Sequence, residues 1–286
     1  MFPLLNQKIP LTPREDDLRR IARALGAAKD MASALRSEGV TAQFKSNNDP
    51  VTIMDQALDQ LLRNSLPNGD EGWLSEETAD DRSRLEKHRV WIVDPLDGTR
   101  EFVAGIPEWC ISIGLVEDGC AVAGGICNPA TGQMFLGSIE TGLIVTGHLP
   151  SAEPRTETTA PLVLASRSEV NRGEWKHFVD APFVVVPMGS VAYKLARVAA
   201  GMADATCTLV PKHEWDVAAG VALVLAAGGE VETLDGVPPE FNRCDPLFTG
   251  LLAYAPSSPE TLKTFWRTQR QRFLRNTPKR PTNGQS

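Results

Sequence analysis

The sequence predicts a mixed α/β chain of two unlike halves, and three observations carry that expectation. Apolar residues at helical spacing open the chain, strand-like segments punctuated by glycine follow, and beyond about residue 160 strand and helix segments alternate. The first half should therefore be helices packed on an antiparallel sheet, and the second an α/β unit with some parallel pairing.

Thr12-Pro13-Arg14-Glu15 has the form of a capping box with proline at the first helical position. Leu18, Ile21, Ala22, Leu25, Ala28, Ala32 and Leu35 continue at helical spacing, which predicts a helix to about Arg36. A second helix is expected from Thr52, with Asp55 in its first turn and Leu58, Leu61 and Leu62 on its apolar face. Trp73-Leu74 reads as a short strand, residues 90–93 as a buried one, and 109–116 and 121–127 as a pair joined at Glu117-Asp118-Gly119. Further strands are expected over 134–137 and 143–145. Composition shifts to Pro, Ser, Thr and Glu over 147–161, which predicts a linker. Beyond it come strands over 162–165, 183–186 and 230–233, and helices over 170–179, 191–200, 215–227 and 259–273. The expected units are 1–150, an α+β half; 151–266, an α/β half; and a basic, flexible tail over 267–286.

With 286 residues, 42% of them hydrophobic, the chain can bury one large core or two intimate ones. The apolar runs are too short and too often interrupted to span a membrane, and the first ten residues do not read as a signal peptide. Five cysteines without a C-x-x-C pair suggest neither a disulfide framework nor a zinc site, so a cytoplasmic location is expected. The net charge of −7 argues against a nucleic-acid polymer as partner, the basic end notwithstanding.

Asp94-Pro95-Leu96-Asp97-Gly98-Thr99 ends an apolar segment with two acids, a glycine and a threonine. Two carboxylates and the intervening Leu96 carbonyl could converge on a hard cation while Gly98 lets the backbone approach an anion; an ordinary Asp-Pro turn is the alternative. Ser75-Glu76-Glu77 places acids directly after a strand, and His213-Glu214-Trp215-Asp216 places one at a helix start. A solvated loop and a carboxylate favoured by the helix dipole are the plain readings of those two. Together with Asp55 they make an all-oxygen metal site, with Mg2+ as its natural occupant and a phosphate ester as the leading substrate class.

The ordered blocks Ser75-Glu76-Glu77, Asp94-Pro95-Leu96-Asp97-Gly98-Thr99 and Trp215-Asp216-Val217-Ala218-Ala219-Gly220 resemble those of the inositol monophosphatase superfamily. Asp49-Pro50-Val51-Thr52-Ile53-Met54-Asp55 and Ala226-Ala227-Gly228-Gly229 fit the same pattern. The resemblance implies a layered α-β-α-β-α sandwich and a lithium-sensitive, magnesium-dependent phosphomonoesterase with two to three ions. It assigns Glu76, Asp94 and the Leu96 carbonyl to one ion and Asp94, Asp97 and Asp216 to a second, with Glu76 reaching a third through water. Gly98 and Thr99 would offer N–H groups to the phosphate. Thr99 and Asp55 would orient and deprotonate the attacking water.

Arg100-Glu101-Phe102, Ser75-Glu76-Glu77 and Asp49-Pro50-Val51-Thr52 resemble the bacterial 3′(2′),5′-bisphosphate nucleotidases more than the inositol monophosphatases. That implies a second anion site, for which Gly189-Ser190-Val191-Ala192-Tyr193-Lys194 is the candidate, with Ser166 and Arg167 nearby; a capped surface helix with a solvated Lys194 is the alternative. His213 is expected on the rim of the site. The partner is then a small phosphorylated molecule, and homodimers are common among such relatives. An inositol or sugar phosphatase, and more remotely a non-catalytic metal- or anion-binding protein, are the competing functions.

Overall fold

In the computed structural model the described residues are 12–38, 42–44, 50–147 and 160–276. Asp49, most of the expected linker and residues 277–286 lie outside them. Helix α1 (Pro13–Glu38) begins with the expected box, in which Thr12 N donates to Glu15 Oε2 at 2.8 Å and Glu15 N donates to Thr12 Oγ1 at 3.2 Å. Strands β1 (Ala42–Phe44) and β2 (Pro50–Thr52) form a small antiparallel pair ahead of α2 (Ile53–Ser65).

There follow β3 (Gly72–Ser75), β4 (Arg89–Asp97), α3 (Thr99–Val103), β5 (Cys110–Glu117), β6 (Cys120–Asn128), β7 (Gln133–Ser138) and β8 (Gly142–Thr146). These strands form one six-stranded sheet in chain order, antiparallel except for the parallel β3–β4 pair. The β5–β6 hairpin turns where expected, with both Asp118 and Gly119 at positive φ, as a tight two-residue turn requires.

The second half holds β9 (Leu162–Ser166), α4 (Arg167–Arg172), β10 (Val184–Met188), α5 (Val191–Ala199), β11 (Ala205–Thr208), β12 (Lys212–His213) and α6 (Glu214–Ala226). It ends with β13 (Glu230–Thr233), β14 (Leu247–Phe248), β15 (Leu251–Tyr254) and α7 (Glu260–Asn276). Its five-stranded sheet runs β10-β9-β11-β15-β13, parallel across the first three strands and antiparallel across the rest.

Two expectations are corrected. The helix expected over 170–179 is broken at Gly173, whose φ of 84° ends α4 and starts a separate 3-10 turn over Glu174–Phe178. Strands β11 and β15, central in the second sheet, are not among those the sequence predicts. Both are buried along their whole length and so lack the alternation that marks a half-exposed strand. The last helix, expected over 259–273, is α7 and runs three residues further, to Asn276.

Helices and sheets stack in five layers. On one face of the six-stranded sheet α1 and α2 bury Ile21, Leu25, Leu58 and Leu62 against Trp91, Val93 and Ile113. On its other face α5 and α6 lie between the two sheets, where Leu195, Val198, Val221 and Leu223 meet Val90, Ile92, Leu164 and Ala253. The far face of the second sheet is covered by α7 and the Trp175–Phe178 segment, with Trp266 fully buried among aromatic rings. The layered α-β-α-β-α architecture expected from the resemblance is the one observed.

Glycines set the closeness of the middle layer. Successive residues of a strand face opposite sides, so Gly124 faces α6 while Gly125 faces α1. A Cβ on Gly124 would lie 2.5 Å from the Ala219 carbonyl oxygen, and one on Gly114 would lie 2.8 Å from Ala218 Cβ. Helix α6 is thereby seated on the backbone of β5 and β6, three residues beyond Asp216.

An ionic cluster locks α1 to the edge of that sheet. Glu71 accepts from Arg89 Nε at 3.1 Å and from Trp91 Nε1 at 2.9 Å, and also binds Arg20. Burial opposes its ionisation, yet the hydrogen bonds from Arg20, Trp91 and Asn68 N hold its pKa down to about 2. Replacing Gly124 by Ala should cost about 1–3 kcal/mol in urea unfolding, because the contact is with rigid backbone. Gly26→Ala, in α1 with no atom within 4 Å of the new Cβ, should instead stabilise by about 0.5–1 kcal/mol.

Candidate active site

Asp94 and Asp97 are three residues apart, an odd spacing that in a regular strand would send their side chains to opposite faces. Strand β4 breaks register between them: Asp94 stands opposite Ser112 and Asp97 opposite Cys110, so three steps on β4 match two on β5. The extra residue is a β-bulge, and it returns both carboxylates to one side. Pro95, which has no N–H to give the ladder, lies inside it. Leu96 N donates to Asp94 Oδ1 at 3.0 Å and holds the bulge closed.

Asp216 joins them from the first turn of α6, where its carboxylate accepts from His213 N at 2.8 Å. One carboxylate oxygen from each of Asp94, Asp97 and Asp216 lies within 4.8 Å of the others. Burial, followed by the charges of Glu76, Asp97 and Asp216, pushes the Asp94 pKa well up; burial and Asp216 raise Asp97. Burial raises Asp216 too, against the pull of Lys212. Three crowded oxygen donors, deprived of water and repelling one another, fit a hard divalent cation.

Strand β3 and helix α2 aim the next residues. Glu76 is exposed on the loop after β3 and lines the same cleft as Asp94. Its loop is tied down by Asp59, which accepts from Ser75 Oγ at 2.6 Å and from Thr78 Oγ1 at 2.7 Å. One turn earlier on the same helix, buried Asp55 faces Thr99, with Asp55 Oδ1 at 3.4 Å from Thr99 Oγ1. The Thr99 hydroxyl also reaches the Leu96 carbonyl at 3.1 Å.

Gly98 precedes α3 at φ 98°, and a Cβ there would meet the Glu108 carbonyl at 2.9 Å. Glycine is thus required by the fold at this point as well as by any anion that approaches.

The second half supplies the opposite wall. Ser190 caps α5 at a positive φ of 53°, unusual for a serine. Its hydroxyl donates to Asp97 Oδ2 at 2.6 Å and accepts from Tyr193 N at 3.0 Å, and Ala192 N donates to the same Asp97 oxygen at 2.6 Å. Lys194 is fully buried, with Nζ donating to the Ser190 carbonyl at 3.0 Å, so the surface-helix alternative with a solvated lysine is excluded.

A cleft of ≈ 200 Å³ lies between the two walls, and its lining includes Glu76, the three aspartates, Leu96, Gly98, Thr99, Ser190 and Lys194. Asp55 lies behind Thr99 rather than in the lining. Arg167 turns away to Glu108 and Glu101, and Glu108 also accepts from Gly189 N at 2.7 Å, bridging the two halves at the rim. His213 is exposed and stacks on Trp215 with ring centroids 4.3 Å apart.

Three residues of the site, Asp59, Ser168 and Lys212, are not among those the sequence singles out. Asp59 falls four residues after Asp55, which puts it on the same helix face, and Lys212 directly precedes the His213–Asp216 block. Ser168 carries no such signal.

Because the three aspartates have raised pKa values when folded, their contribution to metal-free stability is present below the ordinary carboxylate range and lost as pH rises through the raised values. Metal-free Asp94→Asn should therefore melt higher than the metal-free wild type at pH 7, with the difference shrinking toward pH 4. Saturating magnesium should raise the wild-type melting temperature on the order of 5–10 °C and move the variant far less. A wild-type melting curve indifferent to divalent cations would exclude a metal site here.

The inositol monophosphatase family model matches residues 15–270. Among curated relatives, the 3′-phosphoadenosine 5′-phosphate phosphatase of Mycobacterium leprae is 36% identical over 191 residues, covering 60% of this chain and 65% of the relative. The chain thus spans slightly less than two thirds of that relative's length. An inositol-1-monophosphatase of Mesorhizobium japonicum is 30% identical over 227 residues, covering 76% of this chain and 81% of the relative. Among solved structures, CysQ of Bacteroides thetaiotaomicron, described as a bacterial member of the inositol monophosphatase family, is similar with a TM-score of 0.70 at 24% identity. That match covers 85% of this chain and 98% of CysQ. Family model, relatives and layered fold agree, and the chain belongs to the inositol monophosphatase family.

Proposed function

We propose that this protein is a magnesium-dependent phosphomonoesterase that hydrolyses adenosine 3′,5′-bisphosphate to AMP and phosphate. The observation that carries the hydrolase reading is the convergence of Asp94, Asp97 and Asp216 within 4.8 Å, in the cleft that also contains Thr99. Glu76, Asp94, the Leu96 carbonyl, Asp97 and Asp216 would hold two to three magnesium ions. Bound there, the metal supplies a lowered water pKa and neutralises charge on the phosphoryl group.

The chain's own groups do the rest. Thr99 Oγ1 orients the attacking water, and Asp55 Oδ1, 3.4 Å from that hydroxyl, takes the proton. Gly98 and Thr99, at the start of α3, present backbone N–H groups to the phosphate oxygens. Ser190 and Ala192 hold Asp97 in one orientation through the bonds at 2.6 Å, so its carboxylate need not reorganise during the reaction.

The bisphosphate is supported by the mycobacterial relatives named for 3′-phosphoadenosine 5′-phosphate and by Lys194 in the cleft lining. The inositol monophosphatases of Mesorhizobium and Solanum lycopersicum, at 30% and 32% identity, favour inositol 1-phosphate as the second reading.

With one purified sample, magnesium-dependent phosphate release should be faster from adenosine 3′,5′-bisphosphate than from inositol 1-phosphate, and lithium should inhibit it. The reverse preference would overturn the nucleotidase reading. Asp55→Asn and Thr99→Ala should each lower kcat by about 10²–10⁴ while calorimetry still detects magnesium binding. An unchanged rate in either variant removes that residue from the mechanism.

A further inference from the structure

The segment between β3 and β4 carries Glu76 near its start and a 3-10 turn over Ser83–Glu86 near its end. Arg84, in that turn, is 1% exposed, and a charged side chain so buried needs partners for its N–H groups. It finds them in both halves of the chain. Its Nε and Nη2 donate to the two oxygens of Asp80 at 3.2 and 2.8 Å, a forked ion pair within its own segment. Its Nη1 donates to Asn242 Oδ1 at 2.8 Å and its Nη2 to the Arg243 carbonyl at 2.9 Å, both in the second half. Asn242 Nδ2 returns the contact, donating to the Arg84 carbonyl at 3.1 Å.

The network continues to the helix that carries Asp216. Glu214, fully buried as the first residue of α6, accepts from Asn242 N at 2.8 Å through one carboxylate oxygen and from Arg243 N at 3.0 Å through the other. Its own N donates to the Pro246 carbonyl at 3.0 Å, so the start of α6 is held to the 242–246 segment at three points. Asp216 follows two residues later. At the far end, Asp80 comes four residues after Glu76, and Asp59 fixes the intervening Thr78. Hydrogen bonds therefore run without a gap from the Glu76 segment through Arg84, Asn242 and Arg243 to Glu214.

Asp80, Arg84, Asn242 and Glu214 are not in the lining of the cleft, so they do not meet the substrate. A buried ion pair is also a poor source of net stability compared with apolar side chains of the same volume. What a guanidinium bonded on several sides does supply is direction and distance. We infer that Arg84 is a positioning residue for the metal site: with Asn242 and Glu214 it clamps the Glu76 segment to the start of α6. It thereby sets the separation of Glu76 and Asp216, the two proposed metal ligands that lie outside β4. This rests on the magnesium-dependent reading of the site and deepens it.

The test is calorimetric titration of the metal-free protein with magnesium, with the far-UV spectrum of each variant recorded alongside. Asn242 stands at φ 57°, so glycine suits the backbone there and Asn242→Gly deletes only the side-chain link to Arg84. That variant should remain folded and bind magnesium about 10–100-fold more weakly, the usual cost of losing a group that orients a metal ligand. The magnesium concentration for half-maximal phosphate release should rise with it, while kcat at saturating magnesium falls far less. Arg84→Lys, which cannot fork across Asp80 and still reach two further acceptors, should weaken binding at least as much. Asn242→Asp keeps the acceptor facing Nη1 and tolerates the same φ, so it should retain most of the affinity. A folded Asn242→Gly with wild-type magnesium affinity, or an equal loss in Asn242→Asp, would overturn the clamp and leave the phosphomonoesterase reading intact. A wild-type protein that binds no magnesium would overturn both.

Discussion

One extra residue in strand β4 is the constraint on which the site depends. Without the bulge between Asp94 and Asp97, the two carboxylates would point to opposite layers, one into the α1–α2 side and one toward α5 and α6. With it, both face the cleft, Leu96 drops into the core, and the chain turns through Gly98 into α3 with Thr99 at its start. The local irregularity thus sets the relative positions of two acids, a carbonyl and a hydroxyl within six residues. Their partners from other elements have only to be brought up to them.

That approach is a matter of packing. Helix α6 carries Asp216, and its Ala218-Ala219 backbone rests directly on Gly114 and Gly124 of the first sheet. On its other side Gly220 admits Leu195 of α5, where a Cβ would lie 2.4 Å from Leu195 Cβ. The middle layer is therefore built from small residues that let two helices and a sheet come close enough for Asp216 to meet Asp94 and Asp97. On the outer face α2 does a parallel task with Asp55 and Asp59, one turned to Thr99 and the other holding the loop of Glu76.

Gathering these acids is electrostatically unfavourable in the protein alone. Burial and mutual repulsion raise their pKa values, and the donors that oppose this are a hydroxyl and three backbone N–H groups rather than paired cations. Lys194 and Lys212 act on these acids through charge, lowering Asp97 and Asp216 against the effect of burial, without a hydrogen bond to any of them. Such an arrangement stores a demand for external cations at the carboxylates.

Much of the site is legible in residue order. The block from Asp94 to Thr99, with Glu76 and Asp216, carries its chemistry in residue type and spacing, and the capping box of α1, the first-turn Asp55 and the β5–β6 turn are local features of a short stretch of chain. Strands β11 and β15 are not legible there, because a strand buried on both faces shows no alternation. Nor is the break at Gly173, since a glycine within an apolar pattern does not by itself reveal which way the chain turns. Local sequence therefore specifies which groups are available and where helices and hairpins start. That Asp94 and Asp97 share a face, that Lys194 is buried and that Lys212 lines the cleft are settled by the assembled fold. These depend on strand register and on packing between elements distant in the chain, which no short run of residues specifies.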